Sequence, residues 1–260
     1  SIEQLREVLK VVKETVVPLT LLGNGSNVLV RDKGIRGIVI KLGNMLRHFY
    51  EAEDMLVFGS GYSLALASYK AMECEKTGME FAVGIPGSIG GAVYMNAGAY
   101  DGEMQNIVNC VKVMDLQGNE RVLTAEELNF GYRKTSLQNS GLIVTEVTLK
   151  MPSGNKDEIK SKMDDFSHRR ISKQPLEMPS AGSMFKRPPG YFAGTLIDQA
   201  GLKGYTVGGA QISTKHAGFV VNVGGATAAD VLQLIKDVQT KIKAGVGVEL
   251  QPEVLVIGEE

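Results

Sequence analysis

The sequence predicts an α+β fold built from more than one module. Three observations carry this. Strand-like and helix-like segments mix irregularly instead of repeating as strand–helix units. The composition shifts near Gln174, where Gln174-Pro175-Leu176-Glu177-Met178-Pro179 reads as an extended linker. With 260 residues, 43% of them hydrophobic and 22% charged, the chain is long enough for a sizeable core and two or three modules.

In order, Ile2, Leu5, Val8, Leu9 and Val12 fall at helical spacing, with Ser1 and Gln4 as a capping box, so a helix is expected over 1–14. Pro18 ends it. Strands are expected at Leu19–Leu22, Val28–Val30, Ile35–Leu42 and Val57–Gly59. Ser63 caps a helix running to about Lys76, and Gly78 terminates it. Strands at 107–116 and 121–123 enclose the turn Gln117-Gly118-Asn119. Thr124 caps a short helix with Glu126 and Glu127 in its first turn. Gly131 to Ser136 is a polar link, 142–149 a clear strand, and 156–170 a charged helix. Beyond the linker, a short helix is expected over 195–200 and strands over 211–214 and 219–223. Thr227 caps a helix over 228–243, and 248–258 reads as a closing strand.

Composition narrows the function classes. Twenty-eight basic against 29 acidic residues leave a net charge of -1, which gives no reason to expect nucleic acid or an anionic membrane as partner. Any anion must be met locally, by backbone amides and a few placed cations. Two cysteines, Cys74 and Cys110, make no disulfide framework, and a reducing cytoplasmic setting fits. No apolar run suggests a membrane span, and the opening Ser1-Ile2-Glu3-Gln4-Leu5 has no signal-peptide pattern. The three histidines, His48, His168 and His216, lack ligand spacing, so no metal is expected.

Two glycine-rich segments point to phosphate. Gly84-Ile85-Pro86-Gly87-Ser88-Ile89-Gly90-Gly91-Ala92-Val93-Tyr94-Met95-Asn96-Ala97-Gly98-Ala99-Tyr100 carries five glycines and almost no charge. Glycine serves where the backbone takes positive φ or must come close to something else, and several N–H groups in such a run can face one anion. A tight turn between buried strands is the competing reading. Neither G-x-x-x-x-G-K-[ST] nor a strand–turn–helix G-x-G-x-x-G is present. Gly23-Asn24-Gly25-Ser26-Asn27, between two strands, is longer than a hairpin needs and is a second cradle candidate.

Three residues could carry chemistry. Arg133, beside Tyr132, offers a planar charged fork for a carboxylate or phosphate, or is a surface arginine. Ser183, after Gly182 and near Lys186, is a proton donor, a nucleophile or a turn serine; no base or G-x-S-x-G accompanies it. Glu253, flanked by Leu250 and Val254-Leu255-Val256, sits either at an edge facing water or in a cleft. His216 lines a site or is simply packed.

Taken together these segments resemble the family of UDP-N-acetylenolpyruvoylglucosamine reductase, MurB, a flavoenzyme of bacterial peptidoglycan synthesis. The matches run in register: Leu22 to Asn27; Gly78-Met79-Glu80-Phe81 into 84–91; Asn96 to Tyr100; Tyr132-Arg133; Ser180-Ala181-Gly182-Ser183 with Phe185-Lys186; Gly208-Gly209-Ala210; and Pro252-Glu253-Val254. The resemblance implies an FAD-binding fold of the vanillyl-alcohol-oxidase type with a smaller substrate domain. Residues 1–43 and 44–173 would form two FAD-binding subdomains, 174–244 the substrate domain, and 245–260 a strand returning to the FAD unit. FAD would be held non-covalently by Gly23, Asn24, Gly25, Ser26, Asn27, Gly84, Ile85, Pro86, Gly87, Ser88, Gly90, Gly91, Asn96, Ala97 and Gly98.

The implied reaction takes hydride from NADPH through flavin N5 to C3 of the enolpyruvyl group of UDP-N-acetylglucosamine enolpyruvate. Ser183 then gives a proton to C2, while Arg133 and Glu253 stabilise the enolate-like charge. A carboxylate would repel that charge, so Glu253 is expected to act as a neutral donor or through an intervening group. Tyr132, Arg133, Lys186, Lys203 and His216 would meet the substrate. The chain departs from the family in three ways. Members carry a further segment, with a Thr and a Gly-Gly near the flavin, ahead of where this chain opens. Arg187 stands where many have Asn, and the tyrosine-bearing insertion of one branch is missing, as in the shorter branch. Rival readings are an oxidase on the same flavin fold, a non-catalytic nucleotide-binding module, and a hydrolase using Ser183.

Overall fold

The structure is a computed structural model and describes residues 1–43 and 46–260. Its α-helices are α1 (Ile2–Thr15), α2 (Leu64–Glu73), α3 (Ile89–Tyr94), α4 (Lys156–Lys173), α5 (Ala193–Gln199) and α6 (Ala228–Val246). Its strands are β1 (Leu19–Leu22), β2 (Val28–Val30), β3 (Ile38–Lys41), β4 (Phe49–Ala52), β5 (Met55–Gly59), β6 (Gly98–Ala99), β7 (Gly102–Glu103), β8 (Val108–Met114), β9 (Glu120–Thr124), β10 (Ile143–Lys150), β11 (Ser180–Ser183), β12 (Thr206–Val207), β13 (Ala210–Ile212), β14 (Phe219–Asn222) and β15 (Leu255–Ile257). The chain divides into two compact units, Ser1–Gly25 with Gly37–His168, and Ser26–Arg36 with Arg169–Glu260.

The first unit is organised on an antiparallel five-stranded sheet, order β4-β5-β10-β8-β9. β10 is central, and its Ile143, Val144, Thr145, Val147 and Leu149 are buried. A bulge after Val144 lets Glu146 reach Lys112 Nζ at 3.0 Å and His48 Nε2 at 2.9 Å. α2 and α3 bring Leu64, Ala67, Ala71, Ile89 and Val93 into one core with Phe58, Val111 and Val147. Each large apolar side chain buried there contributes roughly 1.5–3 kcal/mol. α1 starts on its capping box and buries Leu5 and Leu9 against Met114 and Ile143. α4 packs Ile159, Met163 and Phe166 on Val83.

The entry to the glycine-rich stretch is set by a buried acid. Glu80 is only 3% exposed. It accepts hydrogen bonds from Thr77 Oγ1 at 2.6 Å and Gly78 N at 2.8 Å, and Lys162 Nζ stands 4.0 Å away. Glu80→Ala is expected to destabilise the protein by about 1–3 kcal/mol, because two half-buried donors lose their acceptor. A urea titration with unchanged slope and an unchanged midpoint would contradict this.

The second unit holds an antiparallel sheet, order β11-β14-β13-β12, and a parallel pair of β2 with β15. α5 and α6 bury Leu196, Ile197, Leu234, Ile235 and Val238 against Ile212 and Val220. Thr227 and Asp230 close a capping box at the start of α6. Asp32 joins them, accepting from Ala228 N at 2.7 Å and Ala229 N at 3.0 Å, a carboxylate on the positive end of the helix. These bonds and the β2–β15 pairing tie Ser26–Arg36 to the far end of the chain.

Several elements differ from expectation. The division between the units falls at His168–Arg169, and the boundary expected at 43–44 lies on Asn44–Met45, outside the described residues. The helix expected after Thr124 is one turn only. Its capping pair forms, with Thr124 N to Glu127 Oε2 at 2.8 Å, but no apolar stripe continues beyond it to bury a further turn. The strand expected over 35–42 starts at Ile38, since Gly37, at φ 92°, comes so close to Pro18 O that a Cβ would lie 2.1 Å from it. The closing strand shrinks to β15, and Leu250 and Val254 are buried separately from an irregular path. Glu253 therefore precedes the strand instead of lying inside it. β4, β11, β12 and α3 have no counterpart in the sequence reading, and Ser180–Ser183, just past the linker expected over 174–179, pairs with β14.

Candidate functional site

In the first unit the glycine segments meet. A Cβ on Gly23 would lie 2.7 Å from Ser88 Oγ and 3.9 Å from Gly91 Cα. Gly90 N donates to Ser60 O at 2.9 Å, and a Cβ on Gly90 would lie 2.8 Å from Ser60 Cβ. Gly61 approaches Gly43 as closely, a Cβ there falling 2.2 Å from Gly43 O. Four backbone segments thus stack through residues that have almost no side chain. Ser88 ends the loop by capping α3, accepting from Gly91 N at 3.3 Å. Among the described residues the amides of Gly84, Gly87 and Ser88 donate to no protein acceptor. Around Gly25, at φ 71°, no heavy atom stands within 4 Å of where a Cβ would be. A floor of close-packed backbone with unclaimed amides and open space beside it fits the diphosphate of a dinucleotide such as FAD. Sequence reading missed Gly43, Ser60 and Gly61; the one signal was the strand ending in Gly59-Ser60-Gly61.

The second half of the stretch faces a different task. Asn96 is fully buried at φ 42°. Its Nδ2 donates to Glu103 Oε2 and Gly131 O, both at 3.0 Å, and its Oδ1 accepts from Gln105 N at 3.0 Å. Its backbone oxygen accepts from Arg133 Nη1 at 3.3 Å, and Gly98 O from Arg133 Nη2 at 3.2 Å. The Arg133 guanidinium also lies over the Tyr132 ring, 5.1 Å from its centroid. Asn96 and Gly98 are thus the seat of Arg133.

In the second unit Ser183 and Glu253 come together by backbone pairing. Glu253 N donates to Met184 O and Lys186 N to Gln251 O, both at 2.8 Å, with Phe185 bridged to Pro252. Ser183 is exposed at the end of β11, after Gly182 at φ 80°, and its Oγ donates to Phe185 O at 3.2 Å. Asn27 uses its side-chain amide on Glu253 O at 3.2 Å. Met184–Lys186 and Gln251–Glu253 therefore form one paired patch of backbone, with Ser183 next to it in sequence. Two chain segments about seventy residues apart build it, which no local pattern announces.

Lys203 pairs with Asp198 at 2.8 Å. His216 is half-buried; its Nδ1 accepts from Gly218 N at 3.0 Å, and its ring meets Phe219 edge-on at 5.1 Å. Burial, with the neighbouring charges of Lys203 and Lys173, holds its pKa below the ordinary 6.5, against the opposing pulls of a backbone hydrogen bond and then Asp198. The folded state thus binds its proton less readily than the unfolded chain. Stability present above about pH 6.5 is lost as pH falls through the lowered value. Denaturation midpoints of the parent should fall between about pH 7 and pH 5, and His216→Gln should flatten that slope. Equal slopes would contradict the assignment. Among the described residues no cluster of His, Cys, Asp or Glu could hold a metal ion.

Comparison with known proteins covers both units. The FAD binding domain family matches residues 1–124, and the family described as UDP-N-acetylenolpyruvoylglucosamine reductase, C-terminal domain, matches 174–257. The UDP-N-acetylenolpyruvoylglucosamine reductase of Clostridioides difficile (strain 630) is 49% identical over 258 residues, 99% of this chain and 85% of that protein. That of Clostridium perfringens (strain SM101) is 52% identical over 258 residues, 99% of this chain and 84% of that protein. The crystal structure of UDP-N-acetylenolpyruvylglucosamine reductase (MurB) from Thermus caldophilus superimposes with a TM-score of 0.84 at 39% identity, covering 98% of this chain and 89% of that one.

Proposed function

The chain belongs to the UDP-N-acetylenolpyruvoylglucosamine reductase family, and from that we propose that it is an FAD-dependent oxidoreductase of peptidoglycan synthesis. It uses NADPH to reduce UDP-N-acetylglucosamine enolpyruvate to UDP-N-acetylmuramate. The observation that best supports this is the pairing of 184–186 with 251–253, which joins the chain segments that carry Ser183, Lys186 and Glu253. The glycine floor at 23–25 and 84–91 would hold the cofactor's diphosphate, with Ser26 and Asn27 continuing the first loop.

When bound, FAD would supply hydride, drawn from NADPH, to C3 of the enolpyruvyl double bond. The chain's own residues handle the resulting charge and the proton. Charge developing at C2 and on the adjoining carboxylate is met by the Arg133 fork, whose geometry matches a carboxylate. Ser183 Oγ gives its proton to C2, completing the addition of two hydrogens across the double bond. A serine hydroxyl is a weak acid, and the cation of Lys186, three residues on, would stabilise the oxyanion left behind. Glu253 contributes through a group lying between it and the intermediate, since its carboxylate would oppose the developing charge directly. Tyr132, Lys203 and His216 contact the UDP-sugar. We assign the enzyme to the cytoplasm, where UDP-sugars and NADPH occur; among the described residues no helix is long and apolar enough to cross a membrane.

The test is an assay on purified protein supplied with FAD. NADPH should be consumed only after the enolpyruvyl UDP-sugar is added, with a product two hydrogens heavier. NADPH oxidation coupled to oxygen without that substrate would favour an oxidase on this fold.

A further inference from the structure

The tip that carries Arg133 is held by a side chain that takes no part in the proposed reaction. Gly131 and Lys134 exchange two backbone hydrogen bonds, Gly131 N to Lys134 O at 2.9 Å and Lys134 N to Gly131 O at 3.1 Å. Tyr132 and Arg133 are therefore a two-residue tip. Arg133 stands at φ 55°, a conformation that costs a residue with a Cβ about 1–2 kcal/mol. The surroundings must hold it there.

Two amide side chains do so. Asn96 Nδ2 holds the first strand of the tip through Gly131 O. Gln138 Nε2 holds the second, donating to Arg133 O at 3.1 Å and to Tyr94 O at 3.1 Å. A primary amide has two N–H donors. The Arg133 peptide and the last residue of α3 both accept from this group, with Met95 Sδ a weaker acceptor at 3.8 Å. Thr135 Oγ1 donates to the same Tyr94 oxygen at 2.9 Å, so it fastens the loop to α3 without bonding to Arg133 O. Gln138 alone of these joins the strained peptide itself to the helix.

We propose that Gln138 is a positioning residue for Arg133. It pins the Arg133 peptide in the left-handed region against the end of α3, so the guanidinium keeps its seat on Asn96 O and Gly98 O and presents one fixed edge. Without it the tip relaxes toward the commoner negative-φ conformations and the fork moves. The inference rests on the reading that Arg133 stabilises the substrate anion.

The test compares Gln138→Met, which keeps the length and loses both donors, with Thr135→Val, which loses only the anchor to Tyr94. In stopped-flow measurements on the FAD-loaded enzyme, Gln138→Met should leave flavin reduction by NADPH within about twofold and slow reoxidation by the enolpyruvyl UDP-sugar about tenfold or more. KM for that sugar should change less than kcat. Hydrogen exchange of the Gly131 and Lys134 amides should quicken in Gln138→Met, with or without cofactor. Thr135→Val should lower thermal stability while leaving the ratio of the two half-reactions at the parent value. Parent-rate reoxidation in Gln138→Met, or equal slowing in both variants, would overturn the positioning role. If the parent enzyme itself is not reoxidised by the enolpyruvyl sugar, the functional reading fails instead. The exchange measurement then decides by itself whether Gln138 holds the tip.

Discussion

Ser183→Ala is expected to lower kcat by about 10³-fold, within the roughly 10²–10⁴-fold range of a positioned proton donor, while flavin reduction by NADPH stays at the parent rate. The reason is chemical economy at that position. Ser183 is exposed, and its hydroxyl makes one long hydrogen bond, 3.2 Å to Phe185 O. Alanine removes the donor and little else, so stability should shift by no more than about 0.5 kcal/mol. The backbone bonds that place the patch, Glu253 N to Met184 O and Lys186 N to Gln251 O, survive the change. Rapid-mixing measurement of each half-reaction, with a thermal melt of the same sample, checks both statements. A Ser183→Ala enzyme within threefold of the parent would remove Ser183 from the reaction and leave the proton to water.

Gly90→Ala is expected to yield protein that purifies without flavin colour and melts several degrees lower. The added Cβ would lie 2.8 Å from Ser60 Cβ and 3.1 Å from Ser60 O, neither of which can swing aside. Overpacking of this kind costs about 1–3 kcal/mol. It also pushes α3 off the Gly90 N to Ser60 O bond that fixes the floor. Gly25→Ala is the control: nothing lies within 4 Å of its Cβ position, so it meets only the cost of φ 71°, about 1–2 kcal/mol. The ratio of flavin to protein absorbance should fall at least tenfold in Gly90→Ala and much less in Gly25→Ala. Yellow, normally stable Gly90→Ala protein would mean that the close approach at Ser60 is not what shapes the cradle.

Legibility in the sequence tracks the range of the signal. Caps are local codes, and Ser1, Ser63 and Thr227 cap α1, α2 and α6 as their side chains dictate. α3 was hidden because Ile89-Gly90-Gly91-Ala92-Val93-Tyr94 has poor helix propensity. It forms because Ser88 caps it and because Ile89 and Val93 are fully buried. Thr124 shows the converse: its capping pair forms and the single turn behind it buries Leu128, but no further turn follows.

The sequence by itself determined the starts of α1, α2 and α6, the two glycine loops, the α+β class and the family, since these depend on side-chain identity at short spacing or along the whole chain. Only the tertiary structure decided that Asn96 and Gly98 seat Arg133, that Asp32 caps α6, and that Met184 and Glu253 join the two segments of the serine patch. Each of those contacts ends on a backbone carbonyl or amide. Such groups are common to almost every residue, so their partners leave no mark in the sequence until the chain has folded.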